Sequence, residues 1–320
     1  MMEWTDRHCR AFHRALTNRA LLYTEMVTTK AIIHGKRERL LGFSPMEHPL
    51  VLQVGGSDPE EMLTSAMIAK QWGYDGINLN CGCPSDRVQS GTFGACLMRN
   101  PQLIAELMAP LVSVFGQEAT VKCRIGVDDQ DEHEALFGLV EACQKVGVTT
   151  FVVHARKAWL KGLSPKENRD IPPLNRPLVR ALKQAYPQLS IILNGGIENL
   201  ESAVEQMSGL DGVMLGRAAY HYPALLGLVD RLFFDPQAPI IDGFTAIERY
   251  RPYMAAQLEV GEPLSAMTRH MLGLMHGLAG ARSFRRIMTV DSVKKGADLR
   301  VLDEACDAVR QGLALKASFV

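Results

Sequence analysis

Seven short runs of apolar and β-branched residues, separated by stretches long enough for a crossover helix, constrain this chain more than any other feature. They are LLYTEMV (Leu21 to Val27), LVLQVGG (Leu50 to Gly56), GINLNCG (Gly76 to Gly82), TVKCRIG (Thr120 to Gly126), TFVVHAR (Thr150 to Arg156), SIILNGG (Ser190 to Gly196) and GVMLGRA (Gly212 to Ala218). Helix-like stretches such as Pro59 to Trp72 and Gln130 to Val146 lie between them. Strand and helix in alternation call for a parallel sheet, because a parallel return needs a crossover. An open doubly wound sheet and a (β/α)8 barrel both satisfy the pattern, and two features favour the barrel. NGG after the sixth run and LGR after the seventh are glycine turns suited to a phosphate, which barrels hold after strands seven and eight. The helical stretch Asp6 to Leu16 has no strand before it. The expectation is therefore an α/β fold, a (β/α)8 TIM barrel lacking its first strand at the N-terminus. The seven runs then count as strands two to eight.

FFDPQAPIIDG (Phe233 to Gly243) carries two prolines and a terminal glycine and reads as a linker. Beyond it no strand-like run occurs. Thr245 and Glu248 have capping-box spacing, and helices are expected near 245–260, 263–278, 281–295 and 299–316. The expected organisation is a barrel over 1–232, a linker over 233–243 and an all-α helical bundle domain over 244–320. A chain of 320 residues, 47% of them hydrophobic, can bury cores of that size. Its seven cysteines are odd in number and scattered, which suits a reducing compartment rather than a disulfide framework. The start, MMEWTDRHCR, lacks the apolar core of a secretory signal, and no apolar run is long enough to span a membrane. A cytoplasmic protein is expected.

Side chains alternate along a strand, and barrel active sites lie at the carboxyl ends of the strands. On that rule Gln53, Asn78, Asn80, Lys122, His154 and Asn194 form a coherent polar set, each late in an otherwise apolar run. The backbone N–H groups of Gly195, Gly196 and Gly216 can approach a phosphate closely, and Arg217 adds a charge-assisted donor. A tight turn would explain NGG alone; paired with GR one βα unit later, phosphate is the better reading. A planar cofactor with a phosphate, such as FMN, would leave Gln53, Asn80 and Lys122 to address its ring edge, with Lys122 stabilising an anionic reduced ring.

Two cysteines flank one glycine in NLNCGCPSD, residues 78–86. Paired zinc thiolates are usually separated by two or more residues and need a second pair, so no metal site is expected. Cys81 has the parity of the helix-facing side and is expected to pack. Cys83 lies past the strand end before Pro84, where a thiol, with an ordinary pKa of about 8.5, can donate a proton. Cys96 is expected to serve packing, at a helix start. Basic residues gather in the loop from His154 to Pro173, with Trp159 among them, and in the tail, at Arg269, Arg282, Arg285 and Arg286. A solvated face is the usual meaning of such runs. Two of them point instead to a polyanionic substrate, although the zero net charge leaves that task to local patches.

The motifs WTDRHCR, LLYTEMVTT, LQVGGSDP, INLNCGCPSDRVQSGTFGACLM, VKCRIGVDDQD, HARKAWLKGLSPKENR, NGGI, DGVMLGRAAY and RHMLGL resemble tRNA-dihydrouridine synthases, A subfamily, almost from end to end. The resemblance implies an FMN-binding barrel, a C-terminal helical domain, and NADPH as reductant of the flavin. The reaction implied is reduction of uridine to 5,6-dihydrouridine at positions 20 and 20a of the tRNA D-loop. Carried over by motif, Cys83 matches the proton donor, and Gln53, Asn80 and Lys122 match flavin-ring contacts. His154, Asn194, Gly195, Gly196, Gly216 and Arg217 match the phosphate end. Arg156, Lys157, Arg269, Arg282, Arg285 and Arg286 fall where the family meets tRNA. A monomer is expected. One departure stands out: the family carries a strand ending in Ala-Pro-Met where this chain has only Met1. Two competing readings remain at this point. One is an FMN-barrel oxidoreductase acting on a free small pyrimidine; the other is a truncated, flavin-free tRNA-binding remnant.

Overall fold

The computed structural model describes residues 1–85 and 93–318, so the stretch 86–92 of the longest motif lies outside the described residues. The chain divides into two compact units. The first holds Met1, Tyr23–Phe43 and Pro49–Gly216; the second holds Met2–Leu22, Ser44–His48 and the chain from Arg217 on.

The first unit is a parallel sheet of seven strands in sequence order, β1 (Leu22–Thr28), β2 (Leu50–Gly55), β3 (Gly76–Cys81), β4 (Ala119–Arg124), β5 (Thr150–His154), β6 (Ser190–Asn194) and β7 (Gly212–Met214). Each of the seven apolar runs supplies one of them, and the architecture is α/β, TIM-barrel-like. Every residue of β2 is buried, and β3 and β4 are buried except at Asn80 and Lys122. That continuous burial belongs to parallel strands covered on both faces. The registers set Gln53 beside Asn78 and Asn80 beside Lys122. They also set Arg124 beside His154 and His154 beside Asn194.

The crossover helices begin at side-chain caps. After α1 (Arg7–Leu16), α2 (Thr29–His34) and α3 (Arg37–Leu41), α4 (Pro59–Trp72) starts where Asp58 accepts from Glu60 and Glu61 and ends at left-handed Gly73. Then come α5 (Pro101–Phe115), α6 (Glu132–Lys145), α7 (Arg176–Ala185) and α8 (Leu200–Met207), each capped by an Asn or Asp side chain. The cap at Asp131 moves the start of α6 two residues past the expected Gln130.

The second unit is helical. It contains α1, α9 (Arg217–His221), α10 (Val229–Phe233), α11 (Gly243–Glu259), α12 (Leu264–Thr268), α13 (Ala281–Val290) and α14 (Arg300–Ala317). Two details differ from expectation. The N-cap of α11 is Asp242, which accepts from Thr245 N at 2.7 Å, so Thr245 lies inside the helix and does not cap it. The helix expected over 263–278 stops at Thr268. There Gly273 is pressed so close to His221 that a Cβ would meet the carbonyl oxygen at 1.9 Å, and Gly277 adopts φ +84. Both glycines serve turns rather than a helix. Among the described residues no helix is long and apolar enough to cross a membrane.

α1 is buried along nearly its whole length although half its residues are polar. The burial is tolerated because each polar group is met. His8 Nδ1 lies 2.9 Å from the Tyr253 hydroxyl. Arg10 pairs with fully buried Glu47 at 2.6 Å, and Arg14 donates to the carbonyls of Thr17, Ala20 and Glu47. Asp6 caps the helix at Cys9 N and pairs with His270 at 3.0 Å and Arg269 at 2.5 Å. Burial works against the Asp6 charge, but His270 and Arg269 hold its carboxyl well below the usual range.

Arg10→Met would strand the Glu47 carboxylate in the interior. The expected loss is about 3–5 kcal/mol in urea unfolding, part of it restored by adding Glu47→Gln. Unchanged stability in the single variant would contradict this account of α1.

Candidate active site

A relay of polar side chains runs along the inner face of the sheet, from Thr120 near the start of β4 through Asn78 and Gln53 to Asn80 at the carboxyl end of β3. Asn78 Nδ2 donates to Thr120 Oγ1 at 2.8 Å, and Gln53 Nε2 donates to Asn78 Oδ1 at 2.9 Å. Asn80 Nδ2 donates to Gln53 Oε1 at 2.8 Å. The far end of Asn80 then accepts from the backbone N–H of Gly82 at 3.0 Å and of Cys83 at 2.9 Å. Tyr23 joins through Thr120, its hydroxyl pushed up to about 12 by burial. Each amide has one donor end and one acceptor end, so fixing one orientation fixes the next. The loop after β3 is therefore held by the strands beneath it. From the other side, Ala95 N donates to the Cys83 carbonyl at 2.9 Å.

Cys83 is half-buried, its thiol 3.4 Å from Ser85 Oγ. Cys81 and Cys123 occupy the opposite, helix-facing side, fully buried next to Cys143 of α6. Burial pushes the Cys123 thiol up to about 12 and raises Cys81 and Cys143 as well. These thiols pack, as the parity of Cys81 requires. Cys96 is half-buried in a 3-10 turn (Gly94–Arg99), and its thiol donates to Phe93 O at 3.0 Å.

Two cations share the inner face of β4. Lys122 is half-buried, and burial, reinforced by neighbouring Arg124, lowers its ammonium to about 8. Among the described residues no carboxylate contributes to that balance. Arg124, 4% exposed, was not singled out from the sequence. It donates to Gly82 O at 3.2 Å, Lys157 O at 3.1 Å and Asn168 O at 2.8 Å. The alternation that selects Lys122 also selects the residue two positions on, and that signal was available in TVKCRIG.

At the other side of the sheet, Asn194 Nδ2 donates to Met214 O at 2.7 Å, joining β6 to the last strand. Gly195 and Gly196 are both left-handed, with φ +107 and +65. A Cβ on Gly195 would lie 3.2 Å from the His154 ring, and one on Gly196 would lie 2.5 Å from Leu174. Only glycine fits this turn. Arg176 donates to Gly196 O at 2.8 Å from behind. At Gly216 a Cβ would meet nothing nearer than Met1 Sδ at 3.6 Å. Arg217 follows it in the chain and opens α9 of the second unit.

The basic residues divide between the units. Arg156 donates to Pro172 O, and Lys157 donates to Gln130 O at 2.6 Å. Their loop is built on buried Asn168, which bonds both the N–H and the carbonyl of Trp159. Arg269 is tied to Asp6. Arg282, Arg285 and Arg286 lie exposed on α13, opposite buried Phe284, Ile287 and Met288. The structure thus joins Gln53, Asn80 and Cys83 by hydrogen bonds, seats Lys122 beside Asn80, and seats His154 beside Asn194.

This donor set fits a planar group bearing a phosphate. Two adjacent left-handed glycines leave the backbone after β6 free of Cβ atoms, and among the described residues no carboxylate contributes to the electrostatic balance of Lys122 on the same sheet.

A family profile described as "Dihydrouridine synthase (Dus)" matches residues 1–310. Among curated relatives, the tRNA-dihydrouridine(20/20a) synthase of Xanthomonas campestris pv. campestris is 51% identical over 306 residues, spanning 95% of this chain and 90% of its own. The enzyme of the same name from Vibrio parahaemolyticus is 52% identical over 306 residues, spanning 95% of this chain and 94% of its own. Among solved structures, morphinone reductase in complex with tetrahydroNAD superposes with a TM-score of 0.51 at 12% identity, over 77% of this chain and 86% of that one. That likeness is one of fold alone.

The lowered ammonium of Lys122 gives a pH signature. Folding disfavours its charged form, so the flavin-free chain carries the full penalty below about pH 8 and loses it as pH rises toward the ordinary lysine value of 10.5. Lys122→Met is expected to stabilise the flavin-free chain at pH 7 by on the order of 2 kcal/mol, with the difference vanishing at alkaline pH. Thermal melts across pH check this; a destabilised variant at pH 7 would contradict it.

Proposed function

The chain belongs to the dihydrouridine synthase family, and we propose that it reduces uridine to 5,6-dihydrouridine at positions 20 and 20a of the tRNA D-loop, with FMN as bound cofactor and NADPH as reductant. The observation that carries this reading is the amide relay ending on the Cys83 backbone beside Lys122.

In this reading Gln53, Asn80 and Lys122 address the flavin ring edge, and His154, Asn194, Gly195, Gly196 and Gly216, followed by Arg217, address the phosphate. Lys122 has a reason to do so: among the described residues no carboxylate contributes to the balance of its ammonium, and an electron-rich ring carbonyl would supply the missing negative charge. A bound, reduced flavin would supply hydride to C6 of the uracil. The Cys83 thiol gives its proton to C5. Held at its backbone by Asn80, that thiol needs little reorganisation to meet the base. The target uridine is stacked in folded tRNA and must be flipped out to reach it.

Arg156, Lys157, Arg269, Arg282, Arg285 and Arg286 are proposed to meet tRNA phosphates, with recognition by shape and charge. The exposed triplet on α13 supports this most directly, since its spacing puts three guanidinium groups on one helix face. The seven strands correspond to strands two to eight of a (β/α)8 barrel, and α11 to α14 to a helical RNA-binding domain. The setting is the cytoplasm, as a monomer.

Two outcomes follow. Cys83→Ala should keep its yellow flavin while dihydrouridine formation, read by mass spectrometry of digested tRNA, falls about 10²–10⁴-fold. Full activity would remove Cys83 from the mechanism. Replacing Arg282, Arg285 and Arg286 together by Gln should lower the slope of log Kd for tRNA against log salt by about 2–3. An unaltered slope would place the contact elsewhere.

A further inference from the structure

Arg124 is the most buried cation of the candidate site, and its bonds reach two separate loops. On one side Nε holds Gly82 O, in the residue just before Cys83. On the other, one terminal nitrogen holds both Lys157 O and Asn168 O. Those two carbonyls bracket the loop that carries Trp159, Lys161 and Lys166, and Asn168 is itself fully buried and binds the Trp159 and Leu163 backbone. Among the described residues no carboxylate balances the guanidinium: its electrostatic neighbours there are Cys83, Arg156 and Arg169. A buried arginine held by carbonyls is expensive to maintain, and a packing role would be met by a neutral side chain. Its planar fork, however, bonds in several fixed directions at once, which a lysine cannot imitate.

We propose that Arg124 is a positioning residue that holds the Cys83 loop in register with the 157–168 loop, so that RNA seated against the second finds the thiol of the first correctly placed. The inference rests on Cys83 being the proton donor. Arg124 acts through Cys83 in this account, and its removal has no further consequence once the thiol is gone.

That dependence is testable by a double-mutant cycle. Flavin in the purified protein is reduced with dithionite, unmodified tRNA is added, and the return of the visible flavin band is followed in a single turnover. Arg124→Met is expected to retain flavin and slow this step about 10²-fold, the usual effect of a misplacement near 1 Å. In a Cys83→Ala background the same substitution should add less than about threefold. A full penalty in both backgrounds would overturn the proposal, as would a wild-type rate in Arg124→Met. Arg124→Lys, milder for folding, should show the same non-additive deficit with flavin retained; complete rescue by lysine would show that charge alone matters and would also overturn it. If the reduced wild type ignores tRNA altogether, the functional reading fails, an outcome distinct from a multiplicative cycle.

Discussion

The hydrogen bonds from Asn80 to Gln53 and from the Cys83 backbone N–H to Asn80 are what the rest of the site depends on. A loop beyond a strand end would otherwise choose among many conformations, and a proton donor placed on it would be poorly aimed. Here the sheet dictates the loop. The parallel register sets β2, β3 and β4 side by side, and alternation turns Gln53, Asn78, Asn80 and Thr120 into one connected row. Such a network is worth having only when every member is satisfied, and each amide in this row has a partner. The scaffold and the chemistry are thus one set of bonds.

The cations work in the opposite direction. Lys122 and Arg124 stand two residues apart on the inner face of one strand, with no carboxylate among the described residues in the balance of either. Both are pushed toward neutrality by burial, Lys122 to about 8 and Arg124 to about 10. That arrangement opposes folding of the flavin-free chain and favours an electron-rich ligand. Arg124 resolves part of the conflict through three carbonyls. Lys122 would leave its share for the proposed cofactor, and stability would be exchanged for function there.

The strands and the inner polar row were legible in the sequence because both rest on local periodicity. Seven apolar runs became seven strands, and the parity that picked Gln53, Asn80 and Lys122 is the parity of the sheet. Where longer-range contacts decide, sequence reasoning fell short. The inward position of Arg124 was legible in the alternation, but its role was not, because its partners lie in loops up to 44 residues away. The cap of α11 went to Asp242 because an acid earlier in the chain outcompeted the Thr245 pattern. Gly273 sits in a turn beyond Thr268, where another backbone comes too close for a Cβ. The WTDRHCR motif gave no hint of its role in the second unit, since Asp6, His8 and Arg10 are matched by His270, Tyr253 and Glu47.

Transfer of hydride and proton to a uridine within tRNA is best examined with two substrates against the anaerobically reduced protein: unmodified tRNA, and the same tRNA already carrying dihydrouridine at positions 20 and 20a. Unmodified tRNA should restore the oxidised flavin band with one dihydrouridine formed per flavin, while the modified tRNA should leave the protein reduced. Oxidation by a free pyrimidine with none by tRNA, or a purified chain that binds no flavin, would contradict the proposed function.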